Sequence, residues 1–367
     1  MKVVVAPDKF KGSLTAHQVA EHLATGLRTV RGVQTDQLPL ADGGDGSVQA
    51  AVTAGYQTYP VRTVGPTGQP VSAEVAFNGR TAIVEVANTC GISLLPGGQR
   101  QPLHSSSYGF GQAINAALAL HPTTVVLALG GSASTDGGMG MLTALGAVFA
   151  SPDGQELIGS GADLSSVSSA DLNKLDRLRQ IEWIIASDVD APLYGLHGAA
   201  HVFGPQKGAS PTTVEHLDQG LRHFVATCRP SSDRLADRPG AGAAGGIGFA
   251  GLMLGARVVS GASYFLDLLH FDHRVADADV VITGEGRMDD QTLQGKLPFV
   301  VAKRAAPRPV HAVVGRNDLS TGSDTHFAQI HQLSDHTTHD SAADPALSAT
   351  ILTQIGHAIA TSLVTRS

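Results

Sequence analysis

The run Gly130-Gly131-Ser132-Ala133-Ser134-Thr135-Asp136-Gly137-Gly138-Met139-Gly140 combines the residue types that hold phosphate. Glycines let a backbone approach an anion closely, successive N–H groups and a helix start attract it, and hydroxyls add donors. Gly130, Gly131, Ser132, Asp136, Gly137 and Gly138 are therefore candidate contacts to a phosphate-bearing cofactor, with Lys207 of Gly204-Pro205-Gln206-Lys207-Gly208 as a nearby type of cation. Carboxylates recur beside glycine or after apolar runs: Asp8, Asp42, Asp45, Asp136, Asp188, Asp190, Glu285, Asp289 and Asp318. Mg²⁺ takes hard oxygen ligands, and a carboxylate beside an alcohol can accept its proton, so the collection suits phosphoryl transfer. Any single Asp is more often a helix or turn cap. The repetition at strand ends is what favours a site. Cations lie near the same places, at Lys9, Lys11, Lys207, Arg287 and Lys296. An isolated cation is usually a solvated surface charge. Lys11, Lys207 and Arg287 are set apart by flanking glycine, and a guanidinium can hold a carboxylate in bidentate fashion.

Other chemistries find less support. Gly240-Ala241-Gly242-Ala243-Ala244-Gly245-Gly246-Ile247-Gly248 formally contains a dinucleotide fingerprint, but Asp233 to Pro239, in front of it, is polar where an apolar strand is required. A NAD-dependent hydroxy-acid dehydrogenase is thus the runner-up enzyme, and a non-catalytic sugar-acid binding protein is the alternative of another class. No GxxxxGK[ST] nucleotide loop occurs, and Gly131-Ser132-Ala133-Ser134 lacks the closing glycine of a nucleophile elbow. The 16 histidines include no HExxH pair, so a dedicated zinc site is not expected.

The elements that must position these residues read as α/β. Runs rich in β-branched residues at Val3 to Val5, Val125 to Leu129, Trp183 to Ala186, Val280 to Thr283 and Val310 to Val314 predict buried parallel strands. Open sheets of such strands bind ligands beyond their carboxyl ends. Val19, Leu23, Leu27 and Val30 share a helical face, started by the capping-box spacing of Thr15 to Gln18. Val71 to Phe77 and Thr81 to Val86, joined by Asn78-Gly79-Arg80, predict a hairpin. Met141 to Phe149 and Gln354 to Leu363 predict further helices. The less regular middle, with Ser165 to Ser169 and the polar stretch Arg229 to Pro239, predicts an inserted domain: residues 1–72 with 275–367 form one domain and 73–274 the other, the strand at Val125 being assignable to either.

Composition is that of a compact globular protein, with 42% hydrophobic and 16% charged residues. A net charge of −7 without a basic stripe argues against nucleic acid or an anionic membrane as partner. Cys90 and Cys228 are isolated, as expected in a reducing compartment, and the amino terminus enters a strand at once, leaving no room for a signal peptide. No apolar run approaches a membrane span, so a cytoplasmic enzyme is expected. The 43 glycines are about 12% of the chain against a usual ~7%, and they are clustered, which points to ligand loops.

Taken in order, Ala6-Pro7-Asp8-Lys9-Phe10-Lys11-Gly12-Ser13-Leu14, Ala41-Asp42-Gly43-Gly44-Asp45-Gly46, Gly130 to Gly138, Ser187-Asp188-Val189-Asp190, Phe203 to Ala209, Pro239 to Gly246 and Thr283-Gly284-Glu285-Gly286-Arg287-Met288-Asp289 closely resemble the type I glycerate kinases of bacteria over nearly the whole chain. The resemblance implies an ATP-dependent kinase of D-glycerate, with 2-phosphoglycerate as the favoured product over 3-phosphoglycerate. It also implies a Rossmann-like domain with a second α/β domain inserted, and an active site in the cleft between them. On that resemblance Mg-ATP lies on the Gly130 to Gly140 loop with Lys11 or Lys207 on the phosphates, and glycerate sits near Arg287. Asp188 or Asp190 takes the hydroxyl proton, Asp190 and Asp136 are the Mg²⁺ candidates, and Asp8, Lys9, Asp42, Asp45, Glu285 and Asp289 line the substrate. A homodimer is compatible with this reading. The chain departs from the family at Asp45, more often Glu, at Thr135, more often Asn, and at Ala191-Pro192-Leu193, more often Asn-Pro-Leu.

Overall fold

Strands in chain order are β1 (Lys2–Val5), β2 (Gln34–Gln37), β3 (Gln57–Val64), β4 (Pro70–Phe77), β5 (Thr81–Glu85), β6 (Thr124–Ala128), β7 (Val148–Ala150), β8 (Glu156–Leu157), β9 (Ser169–Asp171), β10 (Glu182–Ala186), β11 (Arg257–Val259), β12 (Val280–Met288), β13 (Val310–Asn317) and β14 (Gln329–Gln332). The computed structural model describes residues 1–228, 232–320 and 326–366; Arg229 of the polar stretch noted above lies outside them. The chain divides into two units, Met1–Asp42 with Ala262–Ser367, and Gly43–Gly261.

The first unit is built on a parallel sheet of order β14-β13-β12-β1-β2. Val3, Val4 and Val5 are fully buried, as a central strand covered on both faces requires. Helix Ala16–Arg28 follows β1, and Thr15 starts it with both bonds of a capping box. Its buried stripe, Val19, Leu23 and Leu27, meets Ile351, Leu352, Ile355 and Ile359 of helix Pro345–Arg366. A Cβ at Gly26 or Gly356 would run into the backbone of the facing helix, so glycine lets the two helices touch. By length and composition alone Pro345–Thr365 could cross a membrane. Its apolar residues supply this core instead, and it is longer than the Gln354 to Leu363 segment predicted.

Connectivity fixes where this sheet can bind. After β1 the chain steps to β2 on one side, and on returning from the second unit it continues with β12, β13 and β14 on the other. The order therefore reverses between β1 and β12, and a doubly wound sheet opens a crevice beyond the carboxyl ends of its strands at such a reversal.

The second unit holds a six-stranded sheet of order β11-β10-β6-β5-β4-β3, parallel from β5 to β11 and antiparallel from β3 to β5, and a small sheet β8-β7-β9. The hairpin at Asn78-Gly79-Arg80 is present, with Gly79 at φ 88°. The units part at residues 42/43 and 261/262 where sequence reading put the cuts at 72 and 275. The physical reason is β3, which pairs along its whole length with β4 and so carries residues 57–64 into the second sheet. The expected helix Met141 to Phe149 is also different. Helix Met139–Ala144 stops early, Gly146 turns the chain at φ 110°, and Val148 to Ala150 form β7.

Candidate functional site

In the first unit the loop after β1 is a small closed turn. Phe10 bridges Leu14 and Gly12 takes φ 84°, which leaves Lys11 exposed at its tip. Asp8 donates its amide to the Gly284 carbonyl at 2.9 Å, fixing it to the neighbouring strand β12. Its Oδ1 accepts the Lys9 amide at 2.7 Å, and Lys9 Nζ lies 3.4 Å from both Asp8 and Asp42. Burial is the leading influence on Asp8 and drives its carboxyl up to about 7, with Lys9 opposing and Asp42 adding to the rise. On β12, Glu285 is 9% exposed, accepts the Thr292 hydroxyl at 2.7 Å, and is raised to about 7 mainly by burial, the Asp8 charge contributing. Asp8 and Glu285 thus meet electrostatically at the reversal between β1 and β12, where two buried carboxyls poised near neutrality can exchange a proton with a bound alcohol. Asp289 pairs with Lys296 at 3.1 Å. Arg287 reaches out beside them, two-thirds exposed, with its Nε 2.7 Å from Asp318.

A Cβ on Gly286 would lie 3.2 Å from the Lys11 amide, so glycine there brings the Lys11 turn and the Arg287 strand together. Of the residues singled out from sequence, the structure gathers Asp8, Lys9, Lys11, Asp42, Glu285, Arg287 and Asp289 into this unit. It adds Arg316, which sequence reasoning passed over. The available signal was repetition: Gly315-Arg316 on β13 echoes Gly286-Arg287 on β12, and the two arginines are register partners.

The second unit treats its residues differently. Gly130 is half-buried and Gly131 exposed, but Ser132, Ser134, Thr135 and Asp136 are at most 3% exposed, and Gly137, Gly138 and Lys207 are buried too. The amides of this run are committed within the protein: Ala133 to Cys90, Gly137 to Gly245, and Gly138 and Gly140 to Asp136. Asp136 also accepts the Ser107 amide at 2.8 Å and the Ser107 hydroxyl at 2.6 Å. Lys207 Nζ donates to the Ser134 carbonyl. Burial raises the Asp136 carboxyl despite these bonds and lowers Lys207 to about 8, the Asp136 charge working against the shift of Lys207.

The expected role of Asp136 as a Mg²⁺ ligand does not fit this arrangement, because four protein donors already occupy its two oxygens and no surface is left. Ser132, Gly137, Gly138 and Lys207 likewise support the loop from inside, where they were expected to face a phosphate. Only the Gly130-Gly131 edge stays open to a ligand. The second glycine run provides the backing. Gly246 at φ 99° would place a Cβ 2.5 Å from the Gly137 Cα, and Gly138 packs on Ala250. Helix Ser232–Ala236 precedes that run, so the strand a dinucleotide fingerprint needs is not there.

Around the open edge, the Gly130 amide bonds to the Gly43 carbonyl at 3.1 Å, and a Cβ on Gly43 would strike the Ala186 carbonyl at the end of β10. Close approach of three backbones thereby groups exposed Asp45, the Gly130-Gly131 edge and exposed Asp188 and Asp190 beyond the carboxyl ends of β6 and β10. Mg²⁺ is held by one or two carboxylates together with phosphate oxygens. Asp188 and Asp190 have the exposure and chemistry for that part. Among the described residues no cluster of three or more His, Cys, Asp or Glu forms a self-sufficient metal cage.

A family model described as the glycerate kinase family matches residues 3–363. The chain belongs to the glycerate kinase family. It is 42% identical over 350 residues to a glycerate kinase of Haemophilus influenzae, covering 91% of this chain and 93% of that one. It is 40% identical over 326 residues to a glycerate 2-kinase of Escherichia coli, covering 86% and 85%. A crystal structure described as glycerate kinase 2 from Salmonella typhimurium LT2 superposes with a TM-score of 0.80 at 35% identity, over 100% of this chain and 98% of the other. This member of the glycerate kinase family thus shares both its sequence and its mixed α/β fold with the relatives it matches.

Proposed function

We propose that the protein moves the γ-phosphoryl group of ATP to the 2-hydroxyl of D-glycerate, giving 2-phosphoglycerate and ADP. The observation that carries this reading is the carboxyl edge of the first sheet. There a buried pair of carboxyls held near neutral pKa, Asp8 and Glu285, lies along the same strand ends as Lys9, Lys11 and Arg287. An acceptor alcohol needs a base matched to neutral pH, and an acid substrate needs fixed cations. The family membership and the names of the relatives support the same chemistry.

In this reading Asp8 takes the hydroxyl proton, Arg287 and Lys9 hold the hydroxy acid, and Lys11 offers its charge to the phosphoryl group in transfer. Asp42, Glu285 and Asp289 shape the surroundings of these groups. In the second unit the Gly130-Gly131 edge receives the phosphates of ATP, and Asp188 with Asp190 holds Mg²⁺; Asp45 borders them. When bound, Mg²⁺ neutralises phosphate charge. Asp136 and Lys207 keep the edge in shape. The reading takes ATP and D-glycerate as the partners and the cytoplasm as the compartment, consistent with two unpaired cysteines and a net charge of −7.

The test is ADP release from Mg-ATP with D-glycerate, L-glycerate and related hydroxy acids, with NMR identification of the product. 2-Phosphoglycerate is expected, 3-phosphoglycerate would replace the regiochemistry, and no ADP release from any acid would remove the kinase reading. Roles separate by substitution: Asp8→Asn should lower kcat by about 10²–10⁴, the usual contribution of a general base, with little change in KM for ATP. Asp188→Ala should instead raise the Mg²⁺ concentration needed for half-maximal rate.

A further inference from the structure

Arg287 on β12 and Arg316 on β13 stand side by side as register partners. Each follows a glycine, and a Cβ on Gly315 would strike the Gly286 carbonyl, so the two strands are as close here as glycine permits. Both guanidiniums turn to one carboxylate, each to a different oxygen. Arg287 Nε donates to Asp318 Oδ2 at 2.7 Å and Arg316 Nε to Oδ1 at 2.6 Å. The Asp318 side chain is 18% exposed, while those of the two arginines are 67% and 71% exposed. The paired charges hold the Asp318 carboxyl below its ordinary range, Arg316 contributing most.

A surface ion pair of this exposure adds little stability, and one arginine suffices to neutralise one aspartate. The second leaves an excess positive charge on the edge. Each guanidinium carries five donors in a rigid fork, and Asp318 is bonded only through the Nε of each. The terminal nitrogens of both therefore remain for a further planar anion. The pair sits at the carboxyl end of a parallel sheet and beside the Lys11 turn, where this fold places its ligands.

We propose that Arg316 acts with Arg287 as the clamp for the carboxylate of the hydroxy acid, and that Asp318 is a positioning residue that aims both guanidiniums before substrate arrives. The clamp rests on the reading of the protein as a hydroxy-acid kinase and adds a residue that determines which alcohols it accepts. It selects acids over neutral alcohols of the same size, because a glyceramide or a glycerol leaves the two forks without their anion.

The experiment compares wild type, Arg316→Ala, Arg316→Lys and Asp318→Asn. KM and kcat are measured for D-glycerate and for the neutral amide glyceramide, with calorimetric binding of D-glycerate in the absence of ATP. Charge-assisted hydrogen bonds of this kind correspond to about 10–100-fold in affinity. Arg316→Ala is expected to raise KM and Kd for D-glycerate by that factor, to leave KM for ATP within about twofold, and to erase most of the preference for acid over amide. Arg316→Lys restores part of the affinity, since charge returns without the fork. Asp318→Asn weakens D-glycerate binding by a smaller factor. Circular dichroism of each variant matches wild type, as the Arg316 side chain is exposed and Asn keeps the shape of Asp318. Unchanged Kd and unchanged acid preference in a folded Arg316→Ala overturn the clamp even if ADP is released normally. A wild type that binds D-glycerate through Arg316 yet releases no ADP supports the clamp and overturns only the kinase reading.

Discussion

The strand ends of the two units carry the same vocabulary of glycine, aspartate and lysine, and use it in opposite directions. In the first unit Gly286 and Gly315 bring strands and a turn together so that Lys11, Arg287 and Arg316 project into solvent. In the second, the glycines of 130–140 and 240–248 bring one backbone onto another, and the polar side chains between them, Ser134, Thr135, Asp136 and Lys207, are buried. A glycine-rich loop after a strand thus admits either a ligand or a second loop. Which one is decided by whether its N–H groups are left over. Around Asp136 they are taken by a carboxylate of the loop itself and by Gly245.

The contrast makes glycine substitutions unequal, and this is the largest effect expected. Gly246→Ala sets a methyl 2.5 Å from the Gly137 Cα at a φ of 99°, combining overpacking with left-handed strain. It should cost about 2–4 kcal/mol in urea unfolding. Gly12→Ala, at φ 84° with nothing within 4 Å, carries the backbone penalty alone, about 1–2 kcal/mol. Equal costs for the two would mean that the glycine-on-glycine packing is not tight.

A middle effect comes from pH. The folded pKa of Asp8 is raised above its unfolded value, so the folded protein binds more protons between about pH 4 and 7, and stability falls as pH rises through that window. Asp8→Asn removes the penalty. It should stabilise the protein at pH 8 by about 1–2 kcal/mol, less than the about 4 that a rise to about 7 implies at about 1.4 per unit because the Lys9 ion pair is lost with it, and give no gain near pH 4. Thermal unfolding of the two proteins across pH measures this, and a gain independent of pH would contradict the burial of an ionised Asp8. Stabilisation together with lost turnover would mark the residue as kept for chemistry.

The smallest effect lies away from both strand ends. Thr15→Ala deletes the capping box at the start of helix Ala16–Arg28 and should cost about 1 kcal/mol by urea unfolding, with turnover unchanged.

Much of the frame was legible without coordinates. The β-branched runs at Val3, Val125, Trp183, Val280 and Val310 all became strands, and the Thr15 cap and the Asn78-Gly79 turn appeared where local chemistry requires them. Short apolar runs were harder: Met141 to Phe149 holds part of a helix and part of a strand, since periodicity over so few residues suits both. β3 escaped notice because its alternating exposed residues, such as Thr58 and Arg62, give it no apolar run, and the pairing with β4 that defines it is long-range. Arg316 escaped although Gly315 flanks it as Gly286 flanks Arg287, because the meaning of that repetition emerges only when β12 and β13 pair in register.

The order of residue types along the chain was enough to specify the family, the buried β-branched strands and the loops that carry polar chemistry, because propensity, capping and turn formation act over a few neighbours. Accessibility was settled by folding alone. Whether Lys207 faces a phosphate or the Ser134 carbonyl, whether Asp136 has an oxygen to give, and whether Arg287 stands beside Arg316 depend on which distant segments meet. Burial, hydrogen-bond saturation and strand register are properties of those meetings, and no stretch of sequence contains them.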